Sequence, residues 1–146
     1  MVAAGRCLIF DTSVYIAALR GGLESAAAGA LRATIPRTYL ASVVAAELHA
    51  GATTEQGRRA VLTITQPPAR AGRVVTPGAT SWLAAGDLLS DLRRREPGLR
   101  SRLSRLWNHA LIALSARQIG ATVVTSDTRD FTLLRRYLRF GLERLD

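Results

Sequence analysis

The stretch Arg6-Cys7-Leu8-Ile9-Phe10-Asp11-Thr12-Ser13 contains a short apolar run that ends abruptly in a carboxylate and two hydroxyl residues. This pattern is typical of a buried strand that delivers a charged side chain to the edge of a parallel sheet. In open α/β sheets, ligands bind in the crevice beyond the carboxyl ends of the strands. We therefore predict that Asp11 lies where a ligand or a metal ion would bind.

The composition indicates a folded, basic protein. The chain has 146 residues, the length of one ordinary domain, and 48% of them are apolar, so we expect a single domain over residues 1–146. The formal net charge is +9, and all 20 basic residues are arginine. Arginine binds phosphate through its forked donors, so the charge favours a polyanionic partner, although an arginine-rich genome would give the same count.

Cysteine usage and hydropathy indicate a cytoplasmic protein. Cys7 is the single cysteine, which excludes a disulfide within the chain and agrees with a reducing compartment. Asp11 interrupts the first apolar run after three residues, so the N-terminus does not read as a signal peptide. No apolar stretch approaches the roughly 18 residues of a membrane span, so we expect no membrane association.

Strand and helix patterns alternate along the whole chain. After the first strand, strands are predicted over 38–41, 73–77 and 121–125. The C-terminal residues are a candidate fifth strand. Helices are predicted over 13–19, 24–34, 43–50, 55–65, 80–95, 102–119 and 131–138. Ser42 is the expected N-cap of the third helix, and Pro67-Pro68 is expected to close the fourth. This alternation predicts an α/β fold in which helices wrap a parallel sheet of four to five strands.

Three acidic sites have defined places in this scheme. Asp11 follows the first strand, Asp127 follows the fourth with Asp130 three residues later, and Glu47 lies in a helix of mostly apolar residues. Carboxylates that converge in a cleft repel one another unless a cation neutralises them, and their oxygens are ligands that Mg²⁺ or Mn²⁺ prefers.

Each acidic residue also has a purely structural interpretation. Asp11 could cap the following helix, and Glu47 could be an exposed helix residue. Asp127 and Asp130 could form an Asx-type turn with an N-cap before Phe131.

Four stretches follow one another along the chain: Ile9-Phe10-Asp11-Thr12-Ser13, Ala46-Glu47-Leu48, Asn108-His109-Ala110-Leu111-Ile112-Ala113, and Gly120-Ala121-Thr122-Val123-Val124-Thr125 continuing to Asp130-Phe131. In this order they resemble a PIN domain, and more narrowly the VapC toxins of bacterial toxin–antitoxin pairs. The resemblance covers nearly the entire chain. It implies a three-layer α/β/α PIN domain and a metal-dependent endoribonuclease toxin that hydrolyses phosphodiester bonds in RNA, with tRNA or rRNA as expected substrates.

The resemblance also implies roles for individual residues. Asp11, Glu47 and Asp127 would be catalytic carboxylates that bind Mg²⁺ or Mn²⁺, with Asp130 as a supporting metal-binding carboxylate. Three further residues would support the site by hydrogen bonding to carboxylates, water or phosphate: Thr12, Ser13 and Asn108.

One position departs from the family pattern. His109 stands where the family usually has an acidic residue before Ala-Leu-Ile-Ala. Imidazole binds transition metals but brings no negative charge and suits Mg²⁺ poorly. His109 therefore leaves three readings open: an active site shifted toward Mn²⁺, a site in which Asp127 and Asp130 supply enough carboxylate, or a weakened site. As a capping or surface residue it would have no catalytic role.

The densest basic segment is a candidate RNA-binding surface. It comprises Arg93, Arg94 and Arg95, followed by Arg100, Arg102 and Arg105. A solvated helix end would give the same pattern. We expect Trp82 and Trp107 to be core or interface residues rather than base-stacking platforms.

The resemblance further implies a cognate VapB-like antitoxin, an RNA substrate, and a homodimer that forms a heterotetramer or larger assembly with the antitoxin. A PIN-fold module that binds RNA or antitoxin without cleaving is the alternative that His109 favours. A haloacid-dehalogenase-type phosphotransferase is rejected, because Ser13 stands where that chemistry needs a second Asp.

Overall fold

The structure, a computed structural model, describes residues 5–146. Its strands are β1 (Leu8–Phe10), β2 (Thr38–Ala41), β3 (Val74–Val75), β4 (Thr122–Thr125) and β5 (Gly141–Arg144). Its α-helices are α1 (Thr12–Gly21), α2 (Ala26–Ala33), α3 (Ser42–Gly51), α4 (Glu55–Arg70), α5 (Ala79–Arg95), α6 (Leu103–Ile119) and α7 (Arg129–Leu134). Short 3₁₀ helices precede β2 (Ile35–Arg37) and α6 (Arg100–Arg102).

The five strands form one parallel sheet in the order β3-β2-β1-β4-β5. This confirms the predicted α/β class, the parallel sheet and the C-terminal strand. The chain moves from β1 toward β3, returns through α5 and α6 to β4 on the other side of β1, and then continues to β5. Because such crossovers are right-handed, the two directions of travel place helices on opposite faces of the sheet, which gives three layers.

The pairing of β1 with β4 positions the candidate site. Leu8, Ile9 and Phe10 lie beside Thr122, Val123 and Val124 in parallel register. The backbone N–H of Asp11 continues this register by donating to the Val124 carbonyl at 2.9 Å. Asp11 and the residues after β4 therefore emerge side by side at the carboxyl edge, where the strand order changes direction, which is where α/β sheets bind ligands.

The core is built from the sheet and from the helix faces that cover it. Fully buried side chains include Phe10, Leu92, Leu106, Ile112 and Phe131. The two tryptophans do not belong to it, since Trp82 is 51% exposed and Trp107 37% exposed. Of the two predicted alternatives, core or interface, the core is therefore excluded, and the interface stays a prediction. Among residues 5–146, no helix combines the length and the apolar character that crossing a membrane requires.

Three predicted helix boundaries are wrong. The helix predicted to end before Pro67-Pro68 continues to Arg70, because both prolines fall in its last turn and their carbonyls accept from Ala71 N–H at 3.1 Å and Arg73 N–H at 2.8 Å. Ser42 is the first residue of α3 rather than its cap.

The seventh helix runs from Arg129 to Leu134 rather than from 131 to 138. The chain tightens there into i→i+3 hydrogen bonds, with Arg136 donating to the Leu133 carbonyl at 3.1 Å and Tyr137 to that of Leu134 at 3.0 Å.

Two leucines of α5 provide a matched test of the core. Leu92 is fully buried, whereas Leu83 is 73% exposed. We expect Leu92→Ala to lower the free energy of unfolding by about 2–5 kcal/mol through lost burial and a cavity, and Leu83→Ala to change it by at most about 0.5 kcal/mol. Urea denaturation followed by circular dichroism measures both; equal losses in the two variants would contradict the described packing of α5.

Candidate functional site

The site is built around the buried carboxylate of Asp11, which is 2% exposed. Its Oδ1 accepts from the Thr12 N–H at 2.8 Å, which caps α1. Its Oδ2 accepts from the Ser13 hydroxyl and from the Thr125 hydroxyl, both at 2.9 Å. A carboxylate has about four lone-pair positions. Three are therefore occupied, and the fourth, on Oδ1, is not used by a hydrogen bond within the described residues.

Thr125, the last residue of β4, joins Asp11 to the loop that follows. The β1–β4 register places it beside Asp11, and it is fully buried. Its hydroxyl also lies 3.1 Å from the Asp127 N–H and 3.0 Å from the Asp127 carbonyl. Thr125 was not predicted as a site residue; the signal was a hydroxyl residue that ends an otherwise apolar strand.

Asp127 follows β4 as predicted, but its side chain is exposed. Its Oδ1 accepts from the Arg129 N–H at 3.1 Å, so the predicted Asx-type turn is present. Asp127 still lies close enough to His109 and Arg102 to favour their charged forms. The carboxylate therefore stands at the solvent side of the cluster.

Glu47 is half-buried on α3 rather than exposed. Its Oε1 and the Thr12 hydroxyl oxygen are both buried, and neither makes a hydrogen bond of normal geometry within the described residues. Burial raises the pKa of Glu47, and the negative charge of Asp11 raises it further, whereas the neighbouring Thr12 hydroxyl acts weakly in the other direction. A partly desolvated carboxylate without a partner is a place where a cation would be stabilised.

His109 and Asp130 form a pair beside Asp11. His109 Nδ1 lies 3.0 Å from Asp130 Oδ2, and His109 Nε2 lies 3.7 Å from Asp11 Oδ1. Arg102 donates to the other oxygen of Asp130, which is 4% exposed. Burial lowers the pKa of His109, and Arg105 and Arg102 act in the same direction against the opposing charges of Asp11 and Asp127. His109 is therefore neutral at pH 7.

A second group of arginines surrounds this pair. Arg105 and Arg129 lie near enough to Arg102 that, after burial, their charges lower its pKa, although arginine remains protonated at any physiological pH. Arg102 and Arg105 belong to the densest basic segment of the sequence, whereas its first three members, Arg93, Arg94 and Arg95, are exposed at the end of α5. Arg94 pairs with Asp91 there, and Arg95 lies 6.0 Å from the centre of the Tyr137 ring.

The structure brings together most of the predicted residues at one sheet edge. The carboxylate of Asp11 contacts Thr12, Ser13 and His109, and His109 in turn contacts Asp130. The charges of Asp11 and Glu47 act on each other. Asn108 is half-buried next to His109 on α6. Within residues 5–146, no three acidic, histidine or cysteine side chains already converge at metal-binding distances. The donor set nevertheless fits a divalent cation, because Glu47 Oε1 has no hydrogen bond and Asp11 Oδ1 accepts only one, from the Thr12 N–H, within the described residues.

Comparison with known proteins agrees with this architecture. The family model of the PIN domain matches residues 8–137. Chains in DNA-bound crystal structures of VapBC2 from Rickettsia felis and VapBC from Salmonella typhimurium match with TM-scores of 0.67 and 0.69 at 19% and 18% identity. The matches cover 96% and 97% of this chain and 99% and 100% of those chains.

A chain of FitAcB from Neisseria gonorrhoeae matches with a TM-score of 0.68 at 20% identity, covering 92% of this chain and 95% of that one. No curated protein sequence matches significantly. At these identities the structural matches show the same fold.

Replacing Glu47 tests whether its negative charge destabilises the folded protein when no metal is bound. Because its raised pKa means that folding disfavours the charged form, Glu47→Gln should raise the urea midpoint in EDTA at pH 8. The gain should shrink as the pH falls through the pKa of Glu47, where the wild type also becomes neutral. Exposed Glu24→Gln is the control and should change little; a loss of stability in Glu47→Gln at pH 8 would contradict the assignment.

Proposed function

Because the chain belongs to the PIN domain family, we propose that it is a metal-dependent endoribonuclease toxin that hydrolyses phosphodiester bonds in RNA, with tRNA or rRNA as substrates. The observation that carries the proposal lies at the ligand-binding edge of the sheet: Glu47 Oε1 is buried without a hydrogen bond in the described part of the chain, beside Asp11, whose Oδ1 accepts only from the Thr12 N–H there.

In this proposal Asp11, Glu47 and Asp127 hold Mg²⁺ or Mn²⁺. The bound ion would lower the pKa of a water molecule and neutralise the attacked phosphate. Ser13 and Thr125 fix the Asp11 rotamer, as hydrogen-bond partners of metal-binding carboxylates do.

The arginines around the site would bind the phosphates of the RNA. Arg102, Arg105 and Arg129 place positive charge beside the carboxylates without neutralising Asp11 directly. A phosphate backbone is attracted to such a rim, and forked guanidinium donors can hold the phosphate on either side of the cleaved bond. Arg93, Arg94 and Arg95 would extend this surface along the RNA.

We also propose that the chain acts in the cytoplasm with a VapB-like antitoxin and forms a homodimer, giving a heterotetramer or larger complex. The support is structural likeness to chains from VapBC and FitAcB structures. An apolar groove of about 220 Å³ suits an apolar antitoxin segment; it is lined mainly by Tyr15, Leu31, Ile35, Ile64, Pro67 and Pro68. The exposed Trp82, Leu83 and Trp107 would be covered in a dimer.

A binding module without catalysis is the second candidate. His109 favours it, because a neutral imidazole replaces a charge that PIN nucleases of this type usually carry. The two candidates differ in one observable, which is whether RNA is cleaved in a metal-dependent way.

We expect the purified protein, free of antitoxin, to cleave total tRNA or rRNA with Mg²⁺ or Mn²⁺ and not with EDTA. Asp11→Asn should reduce the cleavage rate by about 100-fold or more, because it removes the charge that holds the ion. Exposed Asp87→Asn is the matched control and should cleave normally. RNA binding without cleavage in every metal would favour the binding module instead.

A second expectation separates the two groups of arginines. Arg105→Gln should slow cleavage and reduce the slope of log activity against log salt concentration by about 1, as the loss of one phosphate contact does. Arg93→Gln should change both quantities less, because Arg93 lies farther along the proposed RNA path. The reverse order in a cleavage series at several salt concentrations would identify the end of α5 as the main RNA contact.

A further inference from the structure

His109 lies between two carboxylates, and its two ring nitrogens lie at different distances from them. Its Nδ1 lies at hydrogen-bond distance, 3.0 Å, from Asp130 Oδ2, whereas its Nε2 lies 3.7 Å from Asp11 Oδ1. An ionised carboxylate only accepts hydrogen bonds, so the Nδ1 position carries the proton. In a neutral imidazole, Nε2 then has a lone pair, and Nε2 is the ring nitrogen that lies 3.7 Å from Asp11 Oδ1.

The gap between His109 Nε2 and Asp11 Oδ1 is the informative distance. At 3.7 Å it is too long for a hydrogen bond, so a proton on Nε2 would not join the two atoms. Two donor atoms that each lie about 2.1 Å from one ion are at most about 4.2 Å apart. The observed 3.7 Å lies between that trans limit and the roughly 3.0 Å of cis octahedral ligands, so a small rotation of either side chain would let the nitrogen and the unused lone pair of Asp11 bind the same divalent cation.

The ring of His109 is held in this orientation from two sides. Asp130 fixes Nδ1, and Arg102 binds the second oxygen of Asp130, which keeps that carboxylate in place. The Phe131 ring lies against the imidazole, with centroids 4.6 Å apart. Because both Asp130 oxygens are engaged, Asp130 is placed to orient a ligand rather than to bind the ion itself.

On the premise that the proposed metal-dependent site exists, we propose that His109 is a nitrogen ligand of its metal ion and that Asp130, locked by Arg102, is the positioning residue that presents His109 Nε2. Carboxylate–histidine–metal arrangements of this kind fix the imidazole tautomer and raise the basicity of the ligand. An imidazole donor in place of a carboxylate favours Mn²⁺ and other transition metals over Mg²⁺. The site therefore differs from an all-carboxylate PIN centre in its choice of metal.

The chain allows an unambiguous test, because it contains only two histidines, His49 and His109. Mn²⁺ is added to the full-length protein, and pulsed electron paramagnetic resonance measures nitrogen hyperfine coupling to the bound ion. We expect coupling in the wild type and in the control His49→Gln, whose side chain is exposed on α3. We expect none in His109→Asp, together with a lower ratio of Mn²⁺ to Mg²⁺ affinity by calorimetry.

The positioning role of Asp130 has its own readout. Asp130→Asn should weaken Mn²⁺ binding by about 10-fold or more and reduce the nitrogen coupling, since the imidazole loses its carboxylate partner. If Asp130 bound the ion directly, affinity would fall while the coupling from His109 stayed unchanged, and the positioning role would be overturned. The wild-type spectrum tests the main claim without relying on a variant that must fold.

The outcomes also separate this inference from the proposed function. Mn²⁺ bound without nitrogen coupling, in a protein that cleaves RNA, would overturn His109 as a ligand and leave the nuclease intact. Nitrogen coupling in a protein that does not cleave RNA would support the ligand assignment and contradict the nuclease. Failure to bind Mn²⁺ would overturn His109 as a ligand, and failure to bind either Mn²⁺ or Mg²⁺ would overturn both proposals.

Discussion

The structure of the site depends on keeping one carboxylate charged inside the protein. Asp11 is almost fully buried, and burial of an isolated charge is strongly unfavourable. The compensation comes from one backbone N–H and two hydroxyls, Ser13 and Thr125, that all donate to it. Thr125 reaches Asp11 because β1 and β4 pair in parallel with a fixed register. A slip of one residue in that register would turn Thr125 to the opposite face of the sheet and remove a donor from the charge.

The same cluster is only partly satisfied, and this distinguishes it from a structural ion network. Asp11 has an unused lone pair, and Glu47 Oε1 is buried without a hydrogen bond in the described part of the chain. Asp130, by contrast, has partners on both oxygens. Unpaired buried oxygens destabilise the free protein, and a bound cation would relieve that cost, so incomplete pairing marks the side of the cluster that faces a ligand.

Sequence reasoning could place residues that follow strands but not the partners that tertiary packing brings to them. Asp11 and Asp127 were predictable because the ends of parallel strands meet at one edge of the sheet. Glu47 was predictable because a carboxylate in a mostly apolar helix lies either in solvent or in a polar cleft. The contact of Arg102 with Asp130 joins a 3₁₀ turn to the start of α7, and no periodicity in the chain encodes it. Charge density found the segment that contains Arg102 and Arg105 but could not separate them from the arginine run that ends α5, since density along a chain does not report distance from the site.

The substitution at position 109 makes physical sense only together with its neighbours. A carboxylate at that position would face Asp130 at the distance where His109 now makes a hydrogen bond, and the nearby Arg102 and Arg105 would have to balance both charges. The imidazole turns that repulsion into attraction, because Nδ1–H donates to Asp130. It also lowers the negative charge next to Asp11, which weakens the attraction for a hard ion such as Mg²⁺ while adding a nitrogen donor. In the proposed metal site, histidine would therefore exchange electrostatic attraction for a softer, oriented ligand, and the identity of the metal would be the property most sensitive to this one residue.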